Sequence, residues 1–176
     1  NMVYFTDVRV PVENTVGEIH KGWSIGKYLL AHERMSGGSL GHQKTLLRQL
    51  KQIAGQDEVV GGKPLAKDPA FAQKIATIEL ELRTLEAFNM RAIDKFSKDG
   101  ELGSKALGVE ANIFKMRSTE IHQRLTELKV EAIGQYAMPN QMAALKEGWN
   151  EPAVGAEYAN GCMPAYLHFR KLSIYS

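Results

Sequence analysis

Two stretches of this chain repeat apolar side chains in steps of three and four residues over about seven helical turns each, and that repeat restricts the fold more than any other feature. The first runs Phe71, Ile75, Ile78, Leu82, Leu85, Asn89, Ala92 and Phe96. The second runs Leu107, Ala111, Phe114, Ser118, Ile121, Leu125, Leu128 and Ala132. A strand would need alternation, so both segments are read as helices with one buried stripe. Punctuation agrees with the periodicity. Asp68-Pro69 supplies an N-cap and a first-turn proline before the first stripe, and Ser97-Lys98-Asp99-Gly100 stops it. Ser104 can cap the second stripe, and Gly134 closes it.

A third, earlier helix is expected from about Gly22 to Ala54, with a stripe of Trp23, Gly26, Leu30, Glu33, Gly37, Leu40, Lys44 and Leu47. Helices of about 30 residues span roughly 45 Å, a length suited to an antiparallel up-and-down bundle. The predicted class is therefore all-α, preceded by one short strand over Asn1 to Val12, where Val3-Tyr4-Phe5 and Val8-Arg9-Val10 stand without a pairing partner. After Gln135 the chain is rich in Pro and Gly until a short helix at Ala165 to Arg170. A long fourth helix is missing, and the orphan strand and abrupt end lead us to expect a piece of a chain about twice as long.

Charge and composition narrow the function. The 22 basic and 20 acidic residues leave a net charge of +2, too weak a field to recruit nucleic acid or an anionic membrane. No apolar run is long enough for a membrane span, and no leader pattern opens the chain. The single cysteine, Cys162, can form neither an internal disulfide nor a cysteine zinc site, which fits a reducing, cytoplasmic setting. The five histidines never fall in a Glu-x-x-His pair, so no metal site is expected. The glycine-rich pieces at 36–41 and 60–63 match no phosphate-binding fingerprint. Those at 36–41, inside the helix expected over 22–54, permit close approach by another backbone or by a flat ligand.

Glu33 is the candidate catalytic residue. A carboxylate on an otherwise apolar seam costs desolvation unless it is ion-paired, sits at a boundary or acts as a general base. Arg34 follows it but points about 100° further round the helix.

The run Phe5-Thr6-Asp7-Val8-Arg9-Val10-Pro11-Val12-Glu13-Asn14-Thr15-Val16-Gly17-Glu18, followed by Lys21-Gly22-Trp23 and Glu33-Arg34, resembles the junction of the middle β domain and C-terminal bundle in acyl-CoA dehydrogenases. The three-helix layout and the tail Tyr166-Leu167…Ser173-Ile174-Tyr175 are similar to that family as well. The resemblance divides the chain into residues 1–20, the end of the β domain and its linker, and 21–176, the bundle with its last helix cut short. It implies FAD held between bundle and β domain at a subunit interface, and an acyl-CoA thioester oxidised to its trans-2-enoyl form. A carboxylate would take the α-proton while the β-hydride passes to flavin, and electrons would leave to an electron-transferring flavoprotein.

Most members of the family place the base directly after the tail tyrosine, where this chain has Ser176; a second group, including isovaleryl-type enzymes, carries it where Glu33 stands. The resemblance thus implies Glu33 as base, Arg34 and Tyr175 as substrate contacts, and Gly134 as the surviving residue of a cofactor-binding Gln-x-x-Gly-Gly segment, here Glu131-Ala132-Ile133-Gly134-Gln135. Two further departures stand out. Glu58-Val59-Val60-Gly61-Gly62 replaces the family's Arg-x-x-Phe-Gly, and Asp68-Pro69 replaces a glutamine. Such losses occur in members that pair with a different subunit. The expected partners are therefore a homo-oligomer, as a dimer or dimer of dimers, or a heteromer with a homologous subunit. The alternative is a non-catalytic partner subunit or helical oligomerisation domain.

Overall fold

A computed structural model describes residues 2–36, 40–56, 63–99 and 107–174. Its helices are α1 (Gly22–Ser36), α2 (Leu40–Ala54), α3 (Pro69–Asp99), α4 (Leu107–Ile133) and α5 (Cys162–Phe169), joined in places by short 3-10 turns. The architecture is the expected helical bundle.

Both long stripes are buried as predicted at their described positions, except Asn89, which is half-buried. Along α3, Phe71, Ile75, Ile78, Leu82, Leu85 and Ala92 face the core; along α4, Ala111, Phe114, Ser118, Ile121, Leu125, Leu128 and Ala132 do. The side chains of Phe96 and Leu107, and Ser104, lie outside the described residues. The Asp68 cap forms as expected: the Phe71 N–H donates to Asp68 Oδ1 at 2.8 Å, satisfying one of the orphan donors of the first turn. Gly134 ends α4 with φ +61°, a left-handed residue just past the last helical turn, where glycine carries no Cβ penalty.

Cross-helix pairs fix the directions. Lys44 pairs with Glu86 and Lys51 with Glu79, so α2 and α3 run antiparallel. Lys95 pairs with Glu110, Arg124 with Glu81 and Lys74 with Glu131, so α3 and α4 are antiparallel too. Gln43 reaches Ser118 and Lys129 reaches Gln49, which makes α2 and α4 parallel neighbours. Then α5 returns along α4 from Tyr158, whose hydroxyl donates to Gln56 at 2.6 Å, to Arg170 beside Gln123. The fourth position of the bundle, for which the sequence offers no long helix, is taken by this short helix and its 3-10 turn at Arg170–Ser173.

Two expectations are corrected. The single helix expected over 22–54 is described as α1 and α2, and its course through residues 37–39 lies outside the described residues. Its stripe holds at Gly26, Leu30, Leu40 and Leu47, which are half-buried or buried, and fails at Trp23, Glu33 and Lys44. In α2 the buried positions are Gln43, Leu46, Leu47, Leu50, Ile53 and Ala54, whereas Lys44 is exposed in its ion pair. In α1, which packs on α4, Trp23 is 75% exposed and Glu33 is exposed as well. The strand over 1–12 is not formed among the described residues: 2–11 is irregular and exposed, and a 3-10 turn follows at Val12–Asn14. A lone strand has no ladder to join, and its backbone groups are left to water.

The connection 135–160 contains no long helix, yet it is held in place. Gln141 accepts from the Val154 N–H at 2.6 Å and donates to Val154 O at 3.0 Å and to Asn160 Oδ1 at 2.9 Å. Gly155, at φ +82°, lies so close to Tyr136 that an added Cβ would fall 2.9 Å from its ring.

Candidate functional site

The residues singled out from the sequence do not form one cluster among the described residues. Glu33 stands on the outer face of α1, one turn beyond Leu29, which is 61% exposed. Backbone atoms place Arg34 next to it in the helix, but its side chain lies outside the described residues, as does Tyr175. Gly134 closes the C-terminal end of α4. It lies eleven positions beyond Gln123, which holds the turn before Tyr175, a separation of roughly 16 Å along the helix. The segment 57–62 is outside the described residues.

At the start of α3 a flavin diphosphate does not fit. A helix N-terminus attracts phosphate through its open N–H groups, but here the Asp68 carboxylate already occupies that place and would repel a second anion. Among the described residues, no three or more His, Cys, Asp or Glu side chains come together as a metal site. Shallow grooves run along α3 and α4. One of about 680 Å³ is lined by Phe88, Arg91, Ala92, Lys95 and Glu110 among others, and one of about 280 Å³ by Leu80, Phe88, Ile113 and Ile121 among others.

A polar cluster that sequence reasoning missed lies where α2, α4 and the tail meet. The Gln43 side chain, only 1% exposed, donates to Ser118 O and Ser118 Oγ, both at 2.8 Å. One turn further along α4, His122 is 4% exposed, stacked on His42 at 5.4 Å between centroids and met edge-on by Phe169 at 4.2 Å. Loss of hydration on burial pushes the His122 imidazole down to about 4, with the neighbouring His42 charge adding to the effect. Gln123 grips the tail: its amide donates to Phe169 O, Arg170 O and Ser173 Oγ, and Arg170 donates back to Gln123 O at 2.8 Å. The available signal was the row Ser118, His122, Thr126, three polar residues at helical spacing beside the apolar stripe.

This arrangement fastens and orients; the described residues assemble no complete reaction centre. Among them, no helix is long and apolar enough to cross a membrane.

Comparison with known proteins supplies the identity. The family model described as "Acyl-CoA dehydrogenase, C-terminal domain" matches residues 20–157. The chain is 28% identical over 138 residues to the acyl-CoA dehydrogenase FadE26 of Mycobacterium tuberculosis, covering 78% of this chain and 34% of the relative. It is 29% identical over 134 residues to the short-chain-specific acyl-CoA dehydrogenase of Megasphaera elsdenii, covering 75% of this chain and 33% of the relative. It thus spans about a third of the length of these curated relatives. No solved structure matches it. A bundle built on these stripes, matched over most of its length, places the chain in the acyl-CoA dehydrogenase family, as its C-terminal domain.

Proposed function

We propose that this chain is the bundle portion of an FAD-dependent acyl-CoA dehydrogenase that oxidises an acyl-CoA thioester to its trans-2-enoyl form. Residues 1–20 are then the end of the middle β domain with its linker, and 21–176 the bundle. The observation that carries the reading is the family match over 20–157, which includes Glu33 on the outer face of α1 and not in the bundle core. A base must meet its substrate, and a core carboxylate could not.

Glu33 removes the α-proton, Arg34 and Tyr175 contact the thioester, and the rest of the protein covers the outer face of α1 to keep water from the reacting carbon. FAD is the family's electron acceptor. With the α3 N-terminus closed by Asp68, the flavin diphosphate is held by groups outside the described residues, Gly134 being the one family position retained in its segment. Electrons pass on to an electron-transferring flavoprotein, and the assembly is a homo-oligomer or a heteromer with a homologous subunit.

The test is Glu33→Gln in the full-length protein. Acyl-CoA oxidation should fall by roughly 10²–10⁴-fold with flavin absorbance retained, the range expected for loss of a general base. Turnover close to wild type removes Glu33 from the mechanism.

A second reading, a non-catalytic partner subunit, is favoured by the Asp68 carboxylate at the α3 N-terminus. A full-length protein that is colourless alone and yellow only with a homologous subunit would support it.

A further inference from the structure

We propose that the outer groove between α3 and α4 is where a second copy of this chain docks, related to the first by a twofold axis that crosses the groove near Thr84. The inference selects one assembly among those left open above and needs no step of the proposed reaction.

Three cavities of about 570, 280 and 680 Å³ follow one another along α3 and α4, lined in turn by Thr77, Thr84 and Arg91 of α3. These three stand at steps of seven, roughly 160° round the helix from Glu79 and Glu86, which pair with α2. The groove they line is therefore on the side away from α2. Its middle stretch is apolar: Leu80 is 67% and Ile113 39% exposed, over the half-buried Phe88 and the buried Ile121. Aliphatic side chains left together in a groove mark a surface that meets another molecule. The two ends differ in charge. Most charged groups along the groove are joined in the α3–α4 ion pairs given above, Arg117 pairs with Glu120 at 2.6 Å, and Asp94 is engaged within the chain. Arg91 at one end and Glu127 at the other have no partner among the described residues. Glu127 lies level with Ile78, because Arg124 pairs with Glu81 and Lys74 with Glu131 on either side of it. The midpoint between that level and Arg91 falls at Thr84 and Leu85, inside the apolar stretch and roughly 10 Å from each charge. A twofold axis at that point exchanges the ends, so each Arg91 meets the partner's Glu127 while the two apolar stretches face one another. An apolar centre with charges of opposite sign at its rim is the make-up of a specific interface, and here a single surface supplies both halves.

The experiment is sedimentation velocity of the full-length protein over a dilution series, with variants at positions exposed enough to leave the fold intact. Arg91→Glu and Glu127→Arg each bring like charges together at two symmetry-related contacts. Either should weaken association across this groove about a hundredfold, about tenfold for each contact. The double variant Arg91→Glu/Glu127→Arg restores opposite charges and should return to within about threefold of wild type. Leu80→Glu, in the apolar centre, should abolish the contact; where a further interface holds the full-length assembly together, it should halve the mass. A mass unchanged in every variant overturns the proposal, as do single variants that the double variant does not repair. An unchanged mass with a lowered unfolding midpoint assigns the groove to another part of the same chain and overturns it too, and so does a wild-type protein that is monomeric or associates only with a homologous subunit. Acyl-CoA oxidation measured on the same wild-type samples tests the dehydrogenase reading separately, since its absence would leave the mass results standing.

Discussion

Burial keeps the His122 imidazole neutral down to about pH 4, well below the value of an exposed histidine, because water is excluded and His42 is stacked against it. The sign of the stability effect follows. Between about pH 6.5 and 4 the unfolded chain takes up a proton at this position and the folded chain does not, so acid draws the equilibrium toward unfolding across that window. Denaturant midpoints measured from pH 7 to pH 4 should show a loss on the order of 2 kcal/mol from this site. In His122→Phe, which keeps a ring against Phe169, that part of the slope should vanish; an unchanged slope would assign it to other groups. Glu33 is the opposite case at the same scale. Its place on a helical stripe with Gly26 and Leu30 was readable, but its exposure was not, because spacing alone does not say how far the edge of a stripe is covered.

At the scale of elements, the Asp68 cap is a local device whose removal should be felt by α3 alone. Asp68→Ala leaves the Phe71 N–H without its acceptor and should cost about 1 kcal/mol, read as a shift in the thermal unfolding midpoint. No change would mean that water serves the first turn equally well. Both α3 and α4 were legible because each combines an uninterrupted stripe with stop signals, so local and long-range preferences agree. Where they disagree, the sequence misleads. Val3-Tyr4-Phe5 and Val8-Arg9-Val10 have the alternation of a strand, but pairing is a property of two segments, and the described residues offer this one no partner. The short α5 was half visible: its apolar residues marked a helix, while its service as the fourth member of the bundle depends on Gln123 and Gln56, distant in sequence.

Seen as a whole molecule, the bundle is well filled at its centre, where Leu50, Phe114 and Leu125 have no exposure, while the segment leading into α1 is bare. Met2, Tyr4, Phe5, Val12 and Trp23 are each more than three-quarters or about three-quarters exposed, a concentration of apolar surface unusual for a part that faces only water. If the rest of a dehydrogenase covers it, Trp23 reports the cover. In the 176-residue chain carrying Trp149→Phe, acrylamide should quench Trp23 freely; in the full-length protein with the same change, quenching should drop several-fold. Equal quenching in both would leave this face open in the complete protein.

The parallel seam of α2 and α4 bears on how the chain folds in time. The antiparallel neighbours α2–α3 and α3–α4 follow one another in sequence and can zip up as helical hairpins. Gln43 and Ser118, by contrast, are 75 residues apart. Their contact closes a long loop only after α3 is in place, which makes the amide of Gln43 a marker of the completed bundle, late to be shielded and early to be lost.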